Sequence, residues 1–472
     1  GLGDVYKRQM YEWLSDALQG PSTVVTANRR LARVLHAEFA RHQVERGLAA
    51  WTSPNIFSWQ DWLARIVQEA SDQVALPTRL SAHQSELLWE CCLQKELGET
   101  RASIASLVRL SREAWQRLAD WQVPIREVAR TALSADHRFF AAAAGRYLGI
   151  LEHESWVDDA GLAQLALDLL SSGRSATSGC VTFVGFDRTR PSVTAIRRAL
   201  SDAGCDVRDT PKPNGAAPIG LQCFESTEAE LRAAGAWARA RLAEAPGQSI
   251  AIIAADLERQ AAPVAHLVRE GLVPGWQYAQ PSVEQALNTS YGRRMSDYPA
   301  VSIALLLLTW LVRDLSSTEV GHLLRSPLLG SASLGGRSRL ELRLRLLPDR
   351  RWTPAMVSSA FRGRDAGAGA AEWLRMVAHL TKARRDLKRR ASPSEWAVYI
   401  DATLSVCEWP GREPLSSFDF QLVNRWRDLL NDLARLALVS PSMNLRTAIR
   451  RLELIAAQTV FQPESEHSKV QL

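Results

Sequence analysis

The stretch that most constrains this chain is Pro21–Phe39, PSTVVTANRRLARVLHAEF. An apolar, β-branched triplet, Thr23–Val25, runs into a polar turn at Thr26–Ala27–Asn28. A basic amphipathic helix follows, with Arg29, Arg30 and Arg33 set among Leu31, Val34, Leu35 and Phe39. Strand, polar turn and helix N-terminus together present backbone N–H groups and hydroxyls to a phosphate. A P-loop would add G-x-x-x-x-G-K-[ST] ahead of such a helix, the lysine meeting the β/γ charge and the hydroxyl holding Mg²⁺. Here Gly20–Pro21–Ser22 stands in that place, and no Gly-Lys dipeptide occurs anywhere in the chain.

Further strands and helices follow the same logic. Val181–Asp187, VTFVGFD, reads as a strand entering a glycine turn. Pro191 then opens a helix through Leu200, and Cys205–Val207 forms a short second strand. The region between reads helical, with no strand signal. Ser81–Leu97 (Ser81 as N-cap), Leu107–Leu118 and Phe139–Leu151 carry apolar residues at helical spacing. Asn214–Pro218 is a Pro/Gly/Ala linker. Beyond it lie a strand at Leu221–Phe224, a helix at Thr227–Leu242 with a Thr227/Glu230 capping box, an apolar strand at Ser249–Ala254 and a helix at Asp256–Glu270. From Val283 helices dominate: Val301–Val312, Ser317–Leu324, Ser338–Leu347, Ala370–Arg390, Pro393–Val406, Phe418–Leu438 and Ser442–Thr459, with Gly363–Gly369 as a loop. A chain of 472 residues exceeds the roughly 250–300 that one core sustains. The expected class is therefore α/β, with two parallel-sheet domains that each carry a mainly helical insertion.

Hydrophobic content of 46% and charged content of 23% are ordinary for a globular protein. The longest apolar run, Val301–Val312, is about half of the ~20 residues a membrane span needs, so a buried helix is expected there. Six cysteines without C-x-x-C pairs or histidines at zinc spacing read as thiols in a reducing cytoplasm. The first nine residues, GLGDVYKRQ, resemble the leader of a truncated reading frame, with Met10 as the start. Ser468–Leu472 reads as a strand beginning, which implies a fragment cut in mid-domain. The net charge of +6 leans towards nucleic acid. Arg337, Arg339, Arg343, Arg345, Arg350 and Arg351 form one basic cluster, and Lys382, Arg384, Arg385, Lys388, Arg389 and Arg390 another. Each reads either as a solvated helix face or as a phosphate-binding patch.

Taken in order, several segments resemble superfamily 1 helicases of the UvrD/RecB kind. They are closer to the AddB-like group, probable DNA-repair proteins with a degenerate helicase front half and a RecB-type PD-(D/E)XK nuclease behind it. The matching segments are Val24–Leu35, Asn55–Ile66 (NIFSWQDWLARI), Phe183–Asp187 with Pro191, Ser249–Leu257, Asn288–Pro299 (NTSYGRRMSDYP) with Leu323–Leu329, and Phe461–Leu472. The resemblance implies two RecA-like domains. Residues 10–75 and 179–213 would form the first around a helical insertion at 76–178. Residues 219–282 and 460–472 would form the second around an insertion at 283–459. Thr23–Val25 and Val181–Val184 should then share one sheet. Leu221–Phe224, Ser249–Ile253 and Lys469–Leu472 should share another, across a cleft from the first.

The departures from the family decide the chemistry. Gly185–Phe186 replaces the acidic pair that binds magnesium in helicases, leaving Asp187 at the turn to cap the next helix. Asp386–Leu387–Lys388 is the nearest approach to a nuclease carboxylate–lysine motif, and it sits in a helical basic run. His36, His83, His137 and His322 are isolated, and no G-x-S-x-G occurs. Sixteen tryptophans include Trp59, Trp62, Trp89, Trp115 and Trp121 in the first third. Their spacing fits core packing, the favoured reading, while an exposed Trp beside Arg would stack a base. The leading expectation is a non-catalytic, helicase-like DNA-binding scaffold from a double-strand-break exonuclease. No catalytic, nucleotide-binding or metal residue is expected, and Mg²⁺ only in the nuclease domain beyond Leu472. Expected partners are single-stranded or end-processed DNA and an AddA/UvrD-type helicase subunit. Thr26, Asn28 and Arg29 are the first candidate DNA contacts, and Arg293 and Arg294 the next. The alternatives are an active ATP-dependent helicase and a helical interaction scaffold without a DNA role.

Overall fold

The computed structural model describes every residue except 1–12, 16, 19–21, 72–73, 98–103, 176–178, 211–218, 256, 279–285, 290–291, 331–333, 349–350, 362–367 and 462–467. The leader, the Gly20–Pro21 dipeptide, the 214–218 linker, Asp256, Arg350 and most of the 363–369 loop therefore lie outside the described residues. The chain divides into two units, Gly1–Pro218 and Ile219–Leu472.

The first unit runs β1 (Ser22–Thr26), α1 (Arg29–Glu45), β2 (Ile56–Ser58), α2 (Trp59–Ala70), β3 (Thr78–Arg79), α3 (Ala82–Leu97), α4 (Ile104–Asp120), α5 (Ile125–Arg130), α6 (Ala135–His153), β4 (Trp156–Val157), α7 (Leu162–Ser171), β5 (Cys180–Val184), α8 (Pro191–Asp202) and β6 (Asp206–Asp209). Four of these strands form one parallel sheet in the order β2-β1-β5-β6. β1 and β5 are neighbours, with Ser22 opposite Cys180 and Thr26 opposite Val184, as expected. The side chains obey the two-residue period of a strand. Val25, Val181 and Phe183 join a core with Trp59, Trp62, Leu63 and Ile66 of α2, Leu162 and Ala166 of α7 and Ile196 of α8. Val24, Ile56 and Val184 join the opposite one with Leu35 of α1.

Three expectations for this unit are corrected. The stretch between β1 and β5 does contain strands: β2 extends the main sheet, and β3 pairs in parallel with β4. Runs of two or three residues are too short to show a period, and a neighbouring backbone supplies what propensity does not. Secondly, α7 packs on α2 and α8, so it belongs to the α/β layer rather than to the insertion. Thirdly, Asp187 does not cap α8, which starts with Pro191 at its first position after Arg190 and has no side-chain cap. Proline lacks the N–H that a cap would satisfy and already holds a helical φ. Ser81 does cap α3: Gln84 N donates to Ser81 Oγ at 3.2 Å and Ser81 N to Gln84 Oε1 at 2.7 Å.

Helices α3, α4 and α6 assemble around Trp89, which stacks on Tyr147 at 4.3 Å between centroids and meets Trp115 edge-on at 6.0 Å. Asp158 lies buried beside them. It accepts from Tyr147 Oη, Trp115 Nε1 and Gly161 N, each at 2.9 Å, and Tyr147 Oη also bonds Ser85 Oγ at 2.8 Å. Burial pushes the Asp158 carboxyl above its ordinary range, against the pull of those three donors.

The second unit runs α9 (Thr227–Glu244), β7 (Ile250–Ala251), α10 (Leu257–Leu272), β8 (Leu287–Asn288), β9 (Arg293–Arg294), α11 (Pro299–Trp310), α12 (Ser317–Arg325), α13 (Leu334–Arg345), α14 (Pro354–Ala360), α15 (Ala368–Arg385), α16 (Pro393–Val406), α17 (Ser417–Arg435), α18 (Leu445–Gln458), β10 (Val460–Phe461) and β11 (Val470–Gln471). β11 returns after the helices, as expected, and lies between β7 and β8, parallel to both. Leu221–Phe224 is not a strand: it makes no ladder, and Leu221 is 94% exposed. Apolar character without a neighbour to pair with does not make a strand. The cap of α9 is Ser226 rather than Thr227, with Ala229 N donating to Ser226 Oγ at 3.2 Å from an extended Ser226 backbone. Helix α14 was not foreseen; Thr353 caps it and Pro354 occupies its first position.

α9 and α10 cross with no room for side chains between their backbones. A Cβ on Gly235 would stand 2.1 Å from Val268 O, and one on Gly271 1.9 Å from Arg232 O. α11 is buried nearly all round, from Ala300 to Trp310. Among the described residues, no helix is long and apolar enough to cross a membrane.

Candidate nucleic-acid interface

Three turns gather at the carboxyl edge of the sheet in the first unit. Thr26–Asn28 leads from β1 into α1, Ser58 leads from β2 into α2, and Gly185–Arg190 leads from β5 into α8. Ala27 N donates to Val184 O at 3.0 Å, which holds the first and third turns together. The strand order reverses between β1 and β5, and in open parallel sheets such a reversal opens a ligand crevice at the carboxyl ends. Here Leu31 packs over Gly185. Gly185 adopts φ +78, and a Cβ there would lie 2.9 Å from Leu31 Cδ2.

Each candidate residue at this edge has a definite place. Thr26 is fully buried, its hydroxyl directed at Asn28 O (2.8 Å) and Phe57 O (3.2 Å). Contact of the Thr26 side chain with DNA is therefore corrected: the hydroxyl shapes the turn from within. Asn28 is the exposed N-cap of α1, its Oδ1 accepting from Leu31 N at 2.9 Å. Arg29 forms a two-bond fork with Asp61, Nη2 to Oδ1 at 2.7 Å and Nε to Oδ2 at 3.2 Å. That fork uses one edge of the guanidinium and leaves the Nη1 side without a hydrogen bond to any described residue.

Asp61 is the residue sequence reasoning missed. Its carboxylate accepts from Ser58 Oγ at 2.5 Å, while Asp61 N donates to Ser58 Oγ at 3.4 Å. Burial pulls the Asp61 carboxyl upwards, but the hydrogen bonds from Arg29 and Ser58 outweigh it and hold the group below its ordinary value. The signal was present as a Ser-x-x-acid spacing at a helix start, Ser58–Asp61, inside a segment noted only for its resemblance. Arg79, paired with Asp159 at 2.7 Å, acts electrostatically on the same site. Arg29 thus ties the first turn of α1 to that of α2.

Arg293 and Arg294 lie in the second unit, exposed on β9, which pairs antiparallel with β10. The structure brings Thr26, Asn28 and Arg29 together and places these two on the other unit. The GRRMSDYP segment owes its shape to packing. A Cβ on Gly292 would meet Phe461 O at 2.4 Å, Met295 is fully buried, and Tyr298 Oη donates to Phe461 O at 3.1 Å.

Several members of the two basic clusters have partners within the fold. Arg337 is buried, its Nη1 donating to Ser326 O and Leu329 O at 2.9 and 2.8 Å. Arg345 pairs with Glu341, Arg351 with Glu319, Arg384 with Asp314 and Lys388 with Glu395. Asp386 lies in the turn after α15, beside Arg385.

No protein-family model matches this chain, and no curated protein does.

Proposed function

We propose that this chain is a non-catalytic, helicase-like DNA-binding portion of a DNA-repair exonuclease. In this reading it has two RecA-like domains, and the first holds a single strand by its phosphates along the carboxyl edge of β1. One observation carries the reading: Asn28, the Nη1 side of Arg29 and the first turn of α1 stand together at that edge, and α1 is pinned to α2 through Asp61. A parallel sheet interrupted by a helical subdomain supports the RecA-like assignment of the first unit. In the second, β11 rejoining β7 and β8 after a long helical excursion supports the same. Leu31 packed over Gly185 favours strand binding over nucleotide turnover at the reversal point.

The test is a fluorescence-anisotropy titration of the chain with a single-stranded oligonucleotide across salt concentrations. Arg29→Gln should flatten the log–log salt slope by about 0.7, the contribution of one phosphate contact to a single strand. Asn28→Asp keeps a good N-cap while placing a negative charge at the proposed phosphate, and should weaken binding several-fold. No binding at low salt, or binding indifferent to both substitutions, would refute the placement.

A further inference from the structure

Of the five tryptophans singled out in the first third of the sequence, Trp59, Trp62 and Trp89 are buried and Trp115 is half-buried. Trp121 is different: it is 64% exposed. It stands at the C-terminal end of α4, where Trp121 N still donates to Arg117 O at 2.9 Å before Gln122 turns the chain away at φ +55. Its location is fixed by its neighbour. Asp120 accepts from Arg190 Nη1 at 2.7 Å, and Arg190 immediately precedes α8 in the turn after β5. The exposed indole is thereby tied to the edge that carries Asn28 and Arg29.

Acidic side chains near it are engaged: Asp120 pairs with Arg190 and Glu127 with Arg130. Several arginines of this unit have acidic partners, among them Arg65 with Glu69, Arg112 with Glu86 and Arg146 with Glu96. Arg117, one helical turn before Trp121, Arg126, just after it, and Arg188, two residues from the Asp120 tie, are exposed and make no ion pair with a described residue. An exposed aromatic face among uncompensated guanidinium groups suits a strand that offers an unpaired base and phosphates at once. A purely apolar partner surface would leave those charges desolvated without compensation.

We propose that Trp121 is a stacking platform for a base of single-stranded nucleic acid, the adjoining phosphates lying on Arg117, Arg126 and Arg188. This rests on the strand-binding reading above and adds the recognition of an unstacked base to it. The experiment compares wild type with Trp121→Ala and Trp121→Phe on an oligo(dT) strand and on the same strand with abasic sites. Trp121→Ala should weaken oligo(dT) binding about 5- to 150-fold with the salt slope unchanged, because stacking and not phosphate contact is lost. Trp121→Phe should recover most of the affinity, and wild type and Trp121→Ala should bind the abasic strand alike. An unchanged thermal midpoint for Trp121→Ala checks that the fold survives. If wild type binds and Trp121→Ala binds equally well, or if the loss persists on the abasic strand, this inference fails and the strand-binding reading stands; the tryptophan then belongs to a polypeptide contact or to none. If wild type binds no strand at low salt, both fail.

Discussion

Replacing a helix glycine by alanine should have opposite signs at two places in this protein. Gly145 and Gly149 lie exposed in α6, and a Cβ on either would meet nothing within 4 Å. There the change removes conformational freedom from the unfolded chain, and each should stabilise by about 0.5–1 kcal/mol. Gly235 in α9 is the reverse case. Ordinary contact begins near 3.4 Å, and the new Cβ would stand 2.1 Å from Val268 O, so the helices must part by about 3.4 − 2.1, or 1.3 Å. A gap of that size forfeits at least about half of the dispersion attraction between atoms in contact. The atoms in question belong to Leu231, Ala238, Val264, Ala265, Val268 and Leu272, which also cover Ile250, Leu287 and Val470 of the sheet. Gly235→Ala should therefore destabilise by about 3 kcal/mol, the upper end for overpacking, the helix-propensity gain notwithstanding. Gly271→Ala should do the same, and the double variant should fall short of the sum because both relieve one crossing. Urea unfolding gives the size of each effect, and hydrogen exchange of the α9 and α10 amides locates it. Gly235→Ala within 0.5 kcal/mol of wild type, with unaltered exchange in α10, would refute the close-crossing argument.

Two further outcomes are open to measurement. Asp158→Asn turns an amide N–H₂ towards donors that now share a carboxylate, and should destabilise by about 1–3 kcal/mol with loss of the near-ultraviolet signal of the Trp89–Trp115–Tyr147 cluster. Glu319 is held at about 2, first by the Arg313 bonds and, against burial, by Ser316 N, below an ordinary 4.5. Its contribution is therefore complete above pH 4.5 and lost as pH falls towards 2. Wild type should exceed Glu319→Gln by about 1–2 kcal/mol at pH 7, and the gap should close in acid. A gap that holds constant down to pH 2.5 would count against the pairing.

Thr23–Val25 and Val181–Val184 were legible as strands because both are β-branched, apolar and followed by helix-start chemistry; their pairing was expected from the resemblance alone. Their alternation put Val24 and Val25 on opposite faces, as the structure has them. The helices of the second unit were legible to within a few residues at most ends, since each carries an apolar face or a Ser/Pro start. What escaped was structure that neighbours impose. β2, β3 and β4 are too short to carry a period, and Leu221–Phe224 had the pattern of a strand without a partner. At the candidate edge, Asn28 and Arg29 were legible as a helix start on a strand. The burial of Thr26 and the Asp61 fork were not, because both depend on β2 lying beside β1, which no local pattern announces.

The position of β11 governs the order in which the second unit can assemble. β11 leaves the ribosome after both of its neighbours, and among the described residues β7 and β8 have no ladder without it. At about 5–20 residues per second, translation from Ile250 to Val470 takes about 10–45 s. In that interval α9 and α10 can close on their glycines and α11 to α18 can fold through local contacts, leaving an open slot for one short strand. Because closure entropy grows only with the logarithm of the loop, the delay need not diminish final stability. It makes the sheet a late lock on helices already formed, and its closure the step at which a slow folding phase should be sought.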